Sequence, residues 1–254
     1  MLGFVDCHSH VVPSGDDGAQ NLADGLELCK LARAGGTEIL YGTPHVWPHL
    51  LLSARREAEI RERFAELRRR APLDLRLGFE LTPTPPLLEE DPARYVLEGT
   101  SVVLVEVPFS GPAGGFLALA EHIEAAGLVP LVAHPERTEA VKSQELTGDE
   151  LAERGWPLQI NGSSLLGRHG VEAEALAWQL LEQGQAKAVA SDGHRVTRPA
   201  RLDEAYELVE ARVGEEAALP LFDGSALRRS LATPTLKAAT ALPAWPSNAP
   251  FRMR

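Results

Sequence analysis

The sequence predicts a parallel α/β protein, and three observations carry the prediction. Short β-branched runs alternate with helical stretches, the pattern of β/α units around a parallel sheet. Histidines and carboxylates recur at the ends of those runs, and in an α/β barrel such ends converge on the face where sites are built. The length of 254 residues suits one barrel or two small domains and is ample for a core.

Residues 5–10, Val-Asp-Cys-His-Ser-His, read as the first strand. Side chains alternate along a strand, which puts Asp6, His8 and His10 on one face with Phe4, and Cys7 on the other. Two imidazoles at i, i+2 make a ready ligand pair for a borderline metal. A polar loop, 13–18, carries Asp16 and Asp17. Both could be plain loop acids, but either is close enough to fold back onto the histidines. Leu22, Leu26, Cys29 and Ala32 recur at helical spacing, ending at Gly35-Gly36, so Cys29 reads as core. Residues 37–41 form a strand leading to Gly42-Thr43-Pro44-His45. A helix over about 53–70, dense in Glu and Arg at i, i+4, reads as a solvated face with no site on it.

Residues 73–79 form the next strand, closed by Glu80 and a proline-rich loop. The run 101–107 is strongly β-branched and carries Glu106 near its end. Burying a carboxylate there costs several kcal/mol unless it is paired or binds a metal. After a helix over 116–126, a strand over 128–133 ends at His134-Pro135-Glu136-Arg137. The strand 158–161 ends in Gln159-Ile160-Asn161, and a helix spans 171–183. The last strand, 186–190, runs into Ser191-Asp192-Gly193-His194. That makes seven strands. His49, His122 and His169 occupy no strand end and read as surface or helix residues. Residues 1–232 read as one domain, and 233–254 as an Ala- and Pro-rich tail.

The net charge of −11 argues against broad binding to nucleic acid or to an anionic membrane. Two cysteines make no disulfide scaffold. The N-terminus lacks a secretory pattern, and no apolar run approaches the roughly 18 residues of a membrane span. The expectation is a cytoplasmic protein. Five histidines and three carboxylates at six strand ends point to a site for several metals.

Assembled, these residues resemble the PHP (polymerase and histidinol phosphatase) superfamily, and within it the bacterial tyrosine-protein phosphatases linked to capsule and exopolysaccharide synthesis. The likeness runs from about residue 4 to 210. It rests on Asp6-x-His8-x-His10, Asp16-Asp17-Gly18, Thr43-Pro44-His45, Glu80, Glu106, His134-Pro135-Glu136-Arg137, Gln159-Ile160-Asn161 and Ser191-Asp192-Gly193-His194. The resemblance implies a distorted seven-stranded (β/α) barrel, TIM-like in plan, with a trinuclear site. His8, His10, Glu80 and Asp192 would hold one ion. Glu80 would bridge to a second, held by Glu106 and His134. Asp17, rather than Asp16, would join His45 and His194 around the third. Mixed imidazole and carboxylate ligands suit Mn²⁺, Fe or Zn²⁺, with Mn²⁺ favoured. Arg137 and Arg198 would clamp phosphate, with Arg201 as the alternative to Arg198. Asp6 would orient an imidazole. The segment Val46-Trp47-Pro48-His49 departs from relatives that carry basic or tyrosine residues there.

The implied activity is phosphotyrosine hydrolysis by metal-activated water. The implied partner is a tyrosine kinase with a tyrosine-rich tail. A small-molecule phosphatase of the histidinol-phosphate type is the alternative, ahead of a nuclease or a non-catalytic metal-binding domain. Cysteine chemistry is disfavoured. Those enzymes need an arginine six residues after the nucleophile, and here Pro13 follows Cys7 and Gly35 follows Cys29 at that spacing. The oligomeric state is left open.

Overall fold

A computed structural model describes residues 3–232; the Ala- and Pro-rich tail lies outside the described residues. Nine strands are present among them: β1 Phe4–Asp6, β2 Thr37–Gly42, β3 His45–Val46, β4 Asp74–Leu77, β5 Glu80–Leu81, β6 Val102–Glu106, β7 Val129–Ala133, β8 Leu158–Asn161 and β9 Ala186–Ala190. They form two parallel sheets, β1-β2-β4 and β3-β5-β6-β7-β8-β9.

The two sheets are one ladder with two interruptions. Thr43-Pro44 separates β2 from β3, and Gly78-Phe79 separates β4 from β5. Main-chain bonds span the gap, Gly78 N donating to Gly42 O at 2.9 Å and Glu80 N to Pro44 O at 3.2 Å. Seven staves therefore run in chain order. The last returns to the first through a parallel bridge between Ser9 and Gly193. Asp192 N donates to His8 O at 2.9 Å, and His10 N to Gly193 O at 2.8 Å. This is the layout that a distorted seven-stranded β/α barrel requires.

The interruptions correct two expectations. The run expected as one strand over 73–79 stops at Leu77, because Leu97 packs onto Gly78: a Cβ there would meet Leu97 Cδ2 at 2.4 Å. The opening strand ends at Asp6, not His10. Its register shifts between Phe4 and Val5, and Asp6 Oδ1 takes the main-chain N–H of His8 at 3.3 Å.

Core packing follows strand alternation. Val103, Val105, Val132 and Ile160 pack in the large cluster with the surrounding helices. Val102, Leu104, Leu131, Ala133, Ala188 and Ala190 pack in a second cluster, the strand-enclosed interior. Cys7 belongs to this interior cluster and Val5 packs against it, while Phe4 lies in the large outer cluster, so the expected alternation, with Cys7 opposite Phe4, holds through Cys7.

The helix Leu22–Ala34 is capped by Asn21 and buries Leu28, Cys29 and Ala32, the expected core face. Helix Ala54–Arg70 buries Ile60, Phe64 and Leu67 and carries exposed i, i+4 pairs such as Arg55–Glu59. It is nonetheless tied to the strand ends: Arg56 Nη2 donates to His45 O at 2.9 Å and Nη1 to Leu50 O at 2.7 Å. Helices Asp203–Val213 and Glu215–Phe222 follow the last strand, and Tyr206 and Phe222 pack on Phe4 with ring centroids 5.1 and 5.7 Å away.

Candidate metal centre

Eight of the nine expected ligands lie at strand ends. His8 and His10 follow β1, His45 opens β3, Glu80 opens β5, Glu106 closes β6, His134 follows β7, and Asp192 and His194 follow β9. All eight are buried. Asp17 reaches in from the 13–18 loop and is exposed. The nine side chains form one continuous cluster. Glu80 Oε2 lies 3.0 Å from His8 Nε2, 3.3 Å from His10 Nε2 and 3.0 Å from His45 Nδ1, while Oε1 is 3.0 Å from His134 Nε2. Asp192 Oδ1 lies 3.5 Å from His8 Nε2 and 3.4 Å from His10 Nε2. Asp17 Oδ1 is 3.3 Å from His194 Nε2 and 3.7 Å from His45 Nε2.

Among the described residues these atoms form four overlapping groups with metal-binding spacing: His10-Asp17-His45-His194, His8-Glu80-His134, His8-His10-Asp192 and His45-Glu80-Glu106. Glu80 belongs to two of them. Asp16 does a different job from Asp17. Its Oδ2 sits 3.4 Å from His10 Nδ1 and accepts His45 N at 3.0 Å, and Oδ1 accepts Gly18 N at 3.2 Å.

The outer nitrogens of three imidazoles are fixed by acceptors. Nδ1 of His8 donates to Gln159 Oε1 at 2.9 Å, that of His10 faces Asp16, and that of His194 donates to Asp192 O at 2.8 Å. Such bonds select the tautomer and turn the Nε2 lone pair inward, the usual support for a ligating histidine. Gln159 was quoted in the sequence only as part of a motif. Its Nε2 donates to Asn161 Oδ1 at 2.8 Å, and Asn161 Nδ2 donates to Asp192 Oδ2 at 2.8 Å. A polar bracket thus joins His8 to Asp192 across β8. Their i, i+2 spacing was the available signal. Thr82 was also missed; its hydroxyl donates to Glu106 Oε1. Asp6 does not orient an imidazole. It accepts the main-chain N–H groups of His8 and Ser191 instead, the latter at 3.0 Å.

The cluster fits bound cations. Glu80 Oε2, Glu106 Oε2, His45 Nδ1 and His134 Nδ1 are buried without a hydrogen bond, whereas buried polar atoms are normally satisfied. Nε2 of His8 and His10 face each other at 3.2 Å. Burial opposes charge on Glu80, yet His45 and His8 around it hold its carboxyl well below the usual range. Burial and the Glu80 charge push Glu106 well above it. Burial lowers His45 to about 3. Backbone strain gathers here as well: His134 and Asp192 hold φ of 31° and 51°, left-handed values that cost a non-glycine residue about 1–3 kcal/mol.

Two guanidiniums meet the cluster at Asp192 Oδ2, from Arg137 Nη1 at 2.7 Å and from Arg198 Nη2. Arg201 instead pairs with Asp203. His122 bonds Glu90 O from its helix, and His49 is an exposed ring stacked on Trp47. His169 is half-buried, with Nδ1 3.0 Å from Ser164 Oγ. Burial, then the nearby charges of Arg137 and Arg198, lower it to about 4, so it lies closer to the site than a plain surface residue.

Fold and site define a class: parallel β/α proteins that gather metal-ligating side chains at the C-terminal ends of their strands. Within that class, the chain belongs to the CpsB/CapC family of capsular polysaccharide synthesis, whose model matches residues 4–228. It is 29% identical over 232 residues to tyrosine-protein phosphatase YwqE of Bacillus subtilis (strain 168), covering 88% of this chain and 91% of that one. It is 28% identical over 212 residues to putative tyrosine-protein phosphatase CapC of Staphylococcus aureus, covering 80% and 82%. A crystal structure reported for YwqE of Bacillus subtilis and CpsB of Streptococcus pneumoniae, described as unique metal-dependent tyrosine phosphatases, superposes with a TM-score of 0.75 at 29% identity, over 85% of this chain and 90% of that one. The histidinol phosphate phosphatase of Lactococcus lactis shares the fold, with a TM-score of 0.53 at 16% identity over 88% and 98%. The likeness drawn from the motifs is therefore to the right family.

Proposed function

We propose that the chain is a metal-dependent protein-tyrosine phosphatase. One observation carries the reading: five histidines and four carboxylates with metal-binding spacing adjoin two arginines, in a chain whose relatives over most of its length are named tyrosine-protein phosphatases. In this reading His8, His10, Glu80 and Asp192 hold one divalent ion, and Glu80, Glu106 and His134 a second. Asp17, His45 and His194 hold a third, with Mn²⁺ favoured. Such ions supply Lewis acidity and lower the pKa of a water to near neutrality.

The chain's own residues do the rest. Gln159, Asp16 and the Asp192 carbonyl fix the imidazole tautomers. Arg137 and Arg198 each spend one donor on Asp192, and Arg198 Nε is buried without a partner, a donor left for a phosphoryl oxygen. Planar guanidinium groups suit that oxygen and the charge it gains during transfer. A tyrosinate leaving group, of pKa about 10, needs little protonation. The partner would be a phosphotyrosine protein such as a bacterial tyrosine kinase with a tyrosine-rich tail, met in the cytoplasm. No described helix is long and apolar enough to cross a membrane.

The test is phosphate release by the Mn²⁺-loaded protein from a phosphotyrosine peptide and from histidinol phosphate. Release from the peptide is expected. Release from histidinol phosphate alone would overturn the reading in favour of a small-molecule phosphatase.

A further inference from the structure

An aromatic ring stands at the rim of the metal centre with much of its surface in solvent. Phe109, in the loop between β6 and the helix Gly114–Ala125, is 47% exposed. Its ring stacks on that of His134 at 5.5 Å and 18°, and the Arg137 guanidinium lies 4.8 Å from its centroid. The loop is pinned, with Glu139 N donating to Phe109 O at 3.0 Å. Trp47, beside His45, is less exposed and has two ring contacts already, with His45 at 4.3 Å and His49 at 5.2 Å.

We infer that Phe109 is the platform on which the substrate's aromatic ring rests, so that this residue selects aryl over alkyl phosphate esters. The inference rests on the phosphatase reading above and adds the residue that reads the leaving group. In an aryl phosphate the ring sits one oxygen away from phosphorus. A phosphoryl group held by Arg137 therefore brings its ring alongside Phe109. Aromatic pairs prefer offset or edge contacts at centroid separations of about 4.5–7 Å and add affinity beyond area burial. An alkyl ester presents no face to stack and gains little there. The contact to Arg137 makes the platform and the phosphate clamp neighbours, so a ring bound on Phe109 also shields the guanidinium from water.

The experiment measures calorimetric Kd values of the Mn²⁺-loaded protein for phenylphosphonate, methylphosphonate and inorganic phosphate, in wild type, Phe109→Ala and Phe109→Tyr. Wild type should bind phenylphosphonate more tightly than methylphosphonate. Phe109→Ala should weaken phenylphosphonate by about 3- to 10-fold, leave methylphosphonate and phosphate within about 2-fold, and Phe109→Tyr should restore the phenyl preference. A loss in Phe109→Ala that is equal for all three anions would show that the ring only props Arg137, and would overturn the platform. So would no loss for any of them. Failure of wild type to bind any of the three would overturn the phosphate-site reading, and the platform with it.

Discussion

At the level of single residues, the proposed centre buries charged and polar groups whose burial bound cations would offset. Glu106 shows this best. Burial, and then its neighbour Glu80, raise its pKa; Thr82 satisfies one oxygen, and the other has no hydrogen bond. Glu106→Gln keeps the shape and removes a ligand, so turnover should fall at least about 100-fold while the far-ultraviolet circular dichroism stays native. Gln159→Leu should leave every proposed ligand in place yet weaken metal binding by about 10- to 100-fold, measured by titration of the metal-free protein, because His8 loses the acceptor that fixes its tautomer. Both thiols are buried, and burial pushes Cys29 up to about 12. Iodoacetamide should therefore leave phosphatase activity of the native protein unchanged, the reverse of what a cysteine nucleophile would show. The proposed ligands were legible in the sequence because a histidine or glutamate at the end of a β-branched run is chemically conspicuous. Gln159, Thr82 and Asp16 were not assigned these roles, because uncharged or loop side chains acquire them only through contacts 24 to 151 residues apart or through a local turn.

At the level of elements, the breaks in β2–β3 and β4–β5 aim the ligands. His45 and Glu80 sit opposite each other in the register of β3 and β5, immediately after Pro44 and Phe79. The alternation of strands and helices was readable from periodicity, but the breaks were not. Gly78 yields because Leu97, distant in sequence, occupies the space of its side chain. The opening strand was overextended for a related reason: Asp6 diverts a main-chain donor to its own carboxylate. The 13–18 loop folds back onto His10 at Gly18, where a Cβ would lie 2.4 Å from His10 Cβ and from its carbonyl oxygen. Gly18→Ala must push the loop outward and carry Asp17 with it. Metal binding should weaken, and the melting temperature of the metal-free protein should fall by several degrees because the clash is with main chain and a Cβ, both readable by calorimetry on the two forms.

On the scale of the whole molecule, the helices and the large cluster hold the frame, and cations bound at the proposed centre would add to it by mass action. A ligand that binds only the folded state stabilises by about 2.7 kcal/mol at one hundred times its Kd. Chelation should therefore lower the melting temperature by several degrees without abolishing the cooperative transition. Loss of the transition on chelation would mean that the barrel cannot stand without metal.

The closure of the ladder also sets a clock on synthesis. Ser9 meets Gly193, and Asp6 meets Ser191 across 185 residues, so the first ligands made are completed by the last. At about 5–20 residues per second of translation, His8 and His10 wait about 10–40 s before Asp192 and His194 exist to join them. During that interval the nascent chain has no complete centre. Activity should appear only after residue 194 has left the ribosome, which stalled chains of graded length would reveal.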